Sequence, residues 1–175
     1  HEYLSLIDMA FDSTQNRLFE MQTIDLFVNE CGFLGRHLGG GRKPDGIIYR
    51  TEEQHGVIID TKAYSNGYNL PISQADEMSR YIRENQTRDI EINPNHWWEN
   101  FPVVINTFYF AFISSVFKGN IGATLKRIAL DTGVNGAAIN VINLLLTAEQ
   151  IKSHKIAYME FFEKLNANQE LTCNV

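Results

Sequence analysis

The chain has 175 residues, of which 44% are hydrophobic and 21% are charged, and its formal net charge is −6 at pH 7. This size and composition predict one compact globular domain and exclude a disordered chain. The negative charge disfavours a protein that holds nucleic acid unaided, because non-specific affinity comes mostly from neutralised phosphates.

The predicted elements begin with two helices, since apolar positions recur at helical spacing in residues 3–11 and 14–31. Residues 32–46 are rich in glycine and are predicted to form a loop. The apolar runs Ile47–Tyr49 and Val57–Ile59 flank a polar stretch and predict a β-hairpin. Residues 73–88 are predicted to form a helix and residues 94–99 a short helical piece. A strand at 107–114, a helix at 119–131 and a strand at 136–142 are predicted to follow. Residues 147–166 are predicted to hold one or two helices. This order indicates a mixed central β-sheet flanked by helices, an α/β or α+β sandwich, and we assign it to the α/β class.

The hairpin carries charged residues at one end. Asp45 opens its first strand, and Asp60 and Lys62 close the second, where alternation puts both on one face. In the simplest antiparallel register, with the turn centred at residues 52–53, Asp45 lies opposite Asp60 with Cβ atoms about 5 Å apart. Like charges in that position are destabilising unless an oxygen-bound divalent cation neutralises them. The set therefore predicts a metal site with Lys62 beside a polarised water; the alternative is a turn residue and a surface ion pair.

These residues fit a nuclease signature. Pro44-Asp45 followed by Asp60-Thr61-Lys62 has the form PD-(D/E)xK. The flanking segments closely resemble the cleavage domains of FokI-like type IIS restriction endonucleases at residues 37–46, 60–65, 67–72, 74–78, 84–88, 92–95, 97–98 and 117–120. The resemblance covers nearly the whole chain and weakens towards its C-terminal end.

The resemblance implies a restriction-endonuclease-like core and a sequence-non-specific DNA endonuclease that depends on Mg²⁺, with Mn²⁺ able to substitute. It implies that Asp45, Asp60 and the backbone carbonyl of Thr61 bind the metal, and that the products carry 5′-phosphate and 3′-hydroxyl ends. Lys62 would orient or activate the attacking water. Glu20 matches an acidic position that supports the metal site in such nucleases; the alternative is an exposed helix carboxylate.

Further residues are candidates for DNA contact and assembly. Arg42 and Lys43 in the glycine loop are candidate contacts to double-stranded DNA. Gln74 either touches the scissile phosphate or caps its helix, and we favour the helix cap. Asp76 and Arg80 are i,i+4 neighbours, and this spacing alone favours an intrahelical surface pair. The resemblance instead implies a homodimer, weak in isolation, in which Asp76 meets Arg80 of the partner twice by symmetry. We expect the dimer, with one active site per DNA strand.

The sequence also gives expectations for the rest of the protein and for its location in the cell. The chain begins with His1, which indicates an excised domain, and the resemblance implies a fused sequence-recognition domain that is absent from residues 1–175. No signal peptide or membrane-length apolar stretch is visible, and Cys31 and Cys173 lack zinc-site spacing, so we expect a bacterial cytoplasmic protein without membrane contact. The alternatives are a stand-alone repair or junction nuclease, which the acidic charge disfavours, and an inactive dimerisation or DNA-binding module, which the intact motif disfavours.

Overall fold

The computed structural model describes residues 2–174, which form a six-stranded mixed β-sheet covered by helices on both faces. The strands are β1 (Leu34–His37), β2 (Gly46–Arg50), β3 (His55–Lys62), β4 (Thr107–Ser114), β5 (Gly136–Asn140) and β6 (Gln169–Glu170). The α-helices are α1 (Ser5–Ala10), α2 (Asn16–Asp25), α3 (Ile72–Thr87), α4 (Ile121–Thr132), α5 (Val141–Lys152) and α6 (Tyr158–Leu165). Short helical turns occupy Ser13–Gln15, Leu26–Glu30 and Trp97–Asn100. The α/β class predicted from the sequence is confirmed.

The strands lie side by side in chain order, β1 to β6. The first three are antiparallel neighbours, and β3, β4, β5 and β6 run parallel to one another. In the β2–β3 hairpin Gly46 pairs with Ile59 and Arg50 pairs with His55. This is the register expected from the sequence, and it places Asp45 and Asp60 one step beyond the last pair.

The sheet separates two hydrophobic layers. The α5 layer contains α1, α2, α5 and α6, and the α3 layer contains α3, α4 and the turn Trp97–Asn100. Side chains of β3 alternate between the layers: Val57 and Ile59 point into the α5 layer, and Ile58 points into the α3 layer. By the same alternation Asp60 and Lys62 face the α3 layer, where the strand leaves its apolar run.

Two predictions of secondary structure are wrong in detail, and one short strand was missed. Strand β1 lies within the segment predicted to be a loop; it is an edge strand whose Leu34 is 50% exposed, so it lacks a buried apolar pattern. Strand β5 ends at Asn140, because the Asn140 side chain accepts a hydrogen bond from the Asn143 backbone N–H and starts α5 there. The two-residue β6 was not predicted. Within residues 2–174 no helix has both the length and the hydropathy needed to cross a membrane.

Candidate active site

The centre of the site is a pair of carboxyl groups at the end of the β2–β3 hairpin. Asp45 immediately precedes β2, and its Oδ2 accepts hydrogen bonds from the Thr61 backbone N–H at 2.7 Å and the Thr61 hydroxyl at 3.3 Å. The Asp60 carboxyl lies within hydrogen-bonding reach of the Asp45 carboxyl. The two acids therefore contact each other directly, as the hairpin register predicts.

The surroundings favour the protonated form of this pair. Burial raises the pKa of Asp45 to about 6, although the hydrogen bond from the Thr61 N–H lowers this pKa. The charge of Glu20 raises the pKa of Asp45 further. Burial and the neighbouring Asp45 charge raise the pKa of Asp60 well above its usual range. Two close carboxyls that lack a cation retain a proton between them. A divalent cation in this position would replace that proton as the neutralising charge.

Glu20 lies beside the pair and is not an exposed helix carboxylate. It belongs to α2, and its Oε2 is 3.1 Å from His37 Nε2 at the end of β1, with each side chain 19% exposed. The charge of Glu20 raises the pKa of both Asp45 and Asp60. The structure thus brings Glu20 to the site at a distance where it acts electrostatically.

A further acid, Glu77 of α3, reaches the site and was not predicted. It accepts a hydrogen bond from the Tyr81 hydroxyl at 2.7 Å, and its charge raises the pKa of Asp60. The i,i+4 spacing of Glu77 and Tyr81 along the buried side of an amphipathic helix was the available signal. The surroundings of Asp60 therefore include α3 as well as the hairpin.

The residues present fit a magnesium ion with a water-rich shell. In the part of the chain that the structure describes, no three His, Cys, Asp or Glu side chains converge to hold a metal ion. Magnesium is commonly held by one or two carboxylates, with waters in the other positions. In a β-strand the N–H and C=O of one residue point to the same side. Since the Thr61 N–H reaches Asp45, its carbonyl oxygen also points towards the Asp45 side of β3.

Lys62 ends β3 on the face that carries Asp60. Its side chain is half-buried, and its carbonyl oxygen accepts a 2.6 Å hydrogen bond from the Ser114 hydroxyl of β4. The end of β3 is thus fixed to the central parallel strand. This fixation holds the backbone of Lys62 in register with the carboxyl pair.

The glycine loop connects β1 to Asp45. The Leu38 N–H donates to the Asp45 carbonyl at 2.9 Å and closes the base of the loop. Arg42 is exposed and has a positive φ of 61°, and Lys43 is half-buried. The Arg42 carbonyl accepts hydrogen bonds from the side-chain amides of Asn93 and Asn95, both at 3.1 Å. Neither asparagine was singled out for a role by sequence reasoning.

Gln74 lies in the first turn of α3. Its backbone N–H donates to the Pro71 carbonyl at 3.0 Å, and among the described residues no side-chain hydrogen bond caps this helix. The prediction that the Gln74 side chain caps the helix is therefore wrong.

Asp76 and Arg80 of one chain do not pair with each other. Asp76 lies 3.6 Å from the Arg127 guanidinium of α4. Arg80 Nε is buried without a hydrogen-bond partner in residues 2–174, and its guanidinium lies 5.1 Å from the centre of the Tyr81 ring. The intrahelical pair that the spacing suggested is not formed.

The chain is similar to known restriction enzymes. The model of the family "FokI, cleavage domain" matches residues 1–172. Type II restriction enzyme FokI of Planomicrobium okeanokoites is 50% identical over 168 residues, which cover 95% of this chain and 29% of that protein. Type II restriction enzyme StsI of Streptococcus sanguinis is 38% identical over 164 residues, which cover 91% of this chain and 27% of that protein.

Solved structures agree with the sequence comparison. The structures of FokI, alone and bound to DNA, superpose with a TM-score of 0.95 at 49% identity, covering 99% of this chain and 31% of theirs. The present chain thus spans less than a third of the length of these relatives. From the match along nearly its whole length, the chain belongs to the FokI cleavage-domain family.

Proposed function

We propose that residues 1–175 form the DNA-cleavage domain of a type IIS restriction enzyme, which hydrolyses phosphodiesters without sequence preference to 5′-phosphate and 3′-hydroxyl ends. The observation that carries the proposal is the direct contact of Asp45 and Asp60 beside Thr61, in a chain of the FokI cleavage-domain family. Relatives named as type II restriction enzymes, and a relative solved bound to DNA, support it.

The proposed cofactor is Mg²⁺, for which Mn²⁺ substitutes. Asp45, Asp60 and the carbonyl oxygen of Thr61 would hold it. The bound ion would supply positive charge against the phosphate oxygens and the attacking water. Lys62 lies on the Asp60 face, where its ammonium orients the water and stabilises negative charge that develops in the transition state. Glu20, fixed by His37, adds negative potential that favours a cation over the shared proton.

Substrate contacts are proposed for the loop and for the start of α3. Arg42 and Lys43 carry positive charge just before Pro44-Asp45, where they would meet the phosphate backbone of double-stranded DNA. Gln74 makes no helix cap, so its amide is available for the scissile phosphate.

Assembly is proposed to be a two-fold homodimer through α3, with Asp76 of each chain meeting Arg80 of the other. Within one chain the two residues do not pair, and the Asp76–Arg127 ion pair is exposed and contributes little. Such a charged interface is weak in isolation. A recognition domain in the rest of the protein would deliver this acidic domain to DNA inside the bacterial cytoplasm, and tethering raises its local concentration.

Cleavage of supercoiled plasmid over a range of protein concentrations tests the proposal. We expect wild type to cut with Mg²⁺ and not with EDTA, and Asp60→Asn to lose more than about a hundredfold in rate. The control Asp25→Asn changes an exposed acid of α2 and should cut like wild type. Cutting in EDTA, or unimpaired Asp60→Asn, contradicts the proposal. DNA binding by wild type without any cutting would indicate an inactive module.

A further inference from the structure

The glycine loop between β1 and Asp45 has little packing of its own. A Cβ placed on Gly40 or Gly41 would meet no atom within 4 Å, and Gly40 has a positive φ of 86°. Its base is closed by the Leu38–Asp45 hydrogen bond, but its far end has no such strand contact. The far end is instead held at one atom, the Arg42 carbonyl oxygen, by the two asparagine amides.

The two asparagines differ in their surroundings. Asn95 is exposed, whereas Asn93 is only 1% exposed. The Asn93 amide nitrogen donates to the Arg42 carbonyl at 3.1 Å and to Glu84 Oε2 at 2.7 Å, so both of its protons are used. Its carbonyl oxygen accepts from the Asn95 N–H at 3.3 Å. Asn93 is therefore a buried and fully hydrogen-bonded connector.

Glu84 gives this connector a fixed base. It lies near the end of α3, is 3% exposed, and accepts a hydrogen bond from the Trp97 indole N–H at 3.2 Å through its other oxygen. A buried carboxylate with a donor on each oxygen has little freedom to move. The hydrogen-bonded path thus runs from a rigid helix through Asn93 to the backbone of Arg42.

The residue at the end of this path precedes the carboxyl pair by a short stretch. Arg42 adopts a left-handed φ of 61°, which a non-glycine residue keeps only when its surroundings impose it. Lys43 and Pro44 then lead directly into Asp45, and proline restricts the backbone between them. A shift of the Arg42 peptide is therefore transmitted to Asp45 rather than absorbed by the intervening residues.

We propose that Asn93 is a positioning residue, which fixes the Arg42–Asp45 segment to the buried end of α3 and so sets the placement of Asp45 against Asp60. Its effect on cleavage rests on the proposed function, whereas its hold on the loop does not. The side chain of Asn93 bonds to Arg42, Glu84 and Asn95, and it acts through the backbone that it holds.

Three variants separate loop positioning from general stability. Asn93→Asp keeps the shape of the side chain and removes both of its hydrogen-bond donors. Loss of the donor to the Arg42 carbonyl loosens the loop. The new carboxyl faces the Glu84 carboxyl, and this destabilises the fold. Adding Glu84→Gln restores a donor between positions 84 and 93 and keeps an acceptor for Trp97. The Arg42 carbonyl regains no donor from position 93 in this double variant. Asn95→Ala is the matched control, which removes the exposed donor to the same oxygen.

Two readouts at pH 8 decide the proposal. Trypsin cleavage after Arg42, followed by mass spectrometry, reports on the loop without any activity. For the double variant, whose thermal midpoint should lie near that of wild type, we expect cleavage after Arg42 about tenfold faster than in wild type. The plasmid kcat should fall about tenfold or more at little-changed KM, because a small misplacement of a ligand slows the chemistry. Asn95→Ala should change both readouts less than about threefold.

The opposite results are equally informative. A double variant with wild-type loop protection and wild-type kcat would show that Asn93 serves only to satisfy Glu84, and the proposal would be wrong. If wild type itself cuts no DNA, the proposed function fails, and trypsin protection alone still decides whether Asn93 holds the loop.

Discussion

The two layers beside the sheet differ in what they bury. In the α5 layer a cluster of phenyl rings fills the interior; Phe33 meets Phe27 at 5.7 Å and Phe161 at 5.5 Å between ring centres. The α3 layer encloses Glu84 and Asn93 and faces Asp60. A sheet that buries apolar side chains on both faces can also hold charged groups in fixed positions on one of them, because the apolar burial offsets the cost of burying those groups. Changes in the two layers should therefore have separable effects.

The largest effect on stability is expected in the α5 layer. Phe161→Ala should lower the free energy of unfolding by about 3–5 kcal/mol, because it leaves a cavity among the neighbouring rings. Urea unfolding measures this loss, and plasmid cleavage per folded molecule should stay near wild type. Phe161→Leu is the control and should cost less. A fall in cleavage without a fall in stability would contradict the separation of the layers.

Apart from substitution of Asp45 or Asp60, the largest effect on turnover is expected from substitution of Lys62. Lys62→Ala should lower kcat about a hundredfold or more, because in the proposed function its ammonium acts on the attacking water and on the developing charge. Ca²⁺ affinity, measured by calorimetry, should stay near wild type. The exposed Lys126→Ala of α4 serves as the control. Should Ca²⁺ binding collapse in Lys62→Ala, Lys62 would be part of the metal-binding structure instead.

An intermediate effect is expected for the charges on α3. Arg80→Asp alone and Asp76→Arg alone should each reduce double-strand cutting about tenfold, because like charges would then face each other across the proposed dimer. An equimolar mixture should recover the rate, since one chain carries acids and its partner carries arginines at both positions. Rates at equal total protein measure this. If the mixture cuts no faster than either variant alone, Asp76 and Arg80 do not meet across a dimer interface.

The smallest effect is a pH dependence of the metal-free fold. Burial raises the pKa of Asp45 to about 6, above its unfolded value, so the folded state holds an extra proton. Stability from this group is complete below about pH 4 and is lost as the pH rises through 6. Asp60→Asn keeps a hydrogen-bond donor beside Asp45 without the proton that the folded state must hold on Asp60, so it should raise the free energy of unfolding at pH 7 by about 1 kcal/mol. Unfolding in EDTA at pH 4.5 and 7 tests this: equal pH slopes for wild type and Asp60→Asn would refute it.

The sequence was sufficient for the hairpin and insufficient for its surroundings. Two apolar runs around a polar turn define one register, so the contact between Asp45 and Asp60 could be predicted from local pattern alone. Asn93 meets Arg42 across 51 residues of chain, and no local pattern encodes such a contact. Edge strand β1 was missed because its side chains alternate between exposed and half-buried positions without a buried apolar residue.

The hairpin also has a consequence for the order of folding. Thr61 and Asp45 are 16 residues apart in the chain, whereas the Ser114–Lys62 contact between β3 and β4 closes over 52. The entropy lost on closing a loop grows with its length, and hairpins form in about 1–10 μs, faster than sheets that need a crossover helix. The carboxyl pair therefore belongs to the earliest part of the sheet to assemble. The parallel strands then form on an edge that already carries both acids. The repulsion between Asp45 and Asp60 therefore acts while the sheet is still folding.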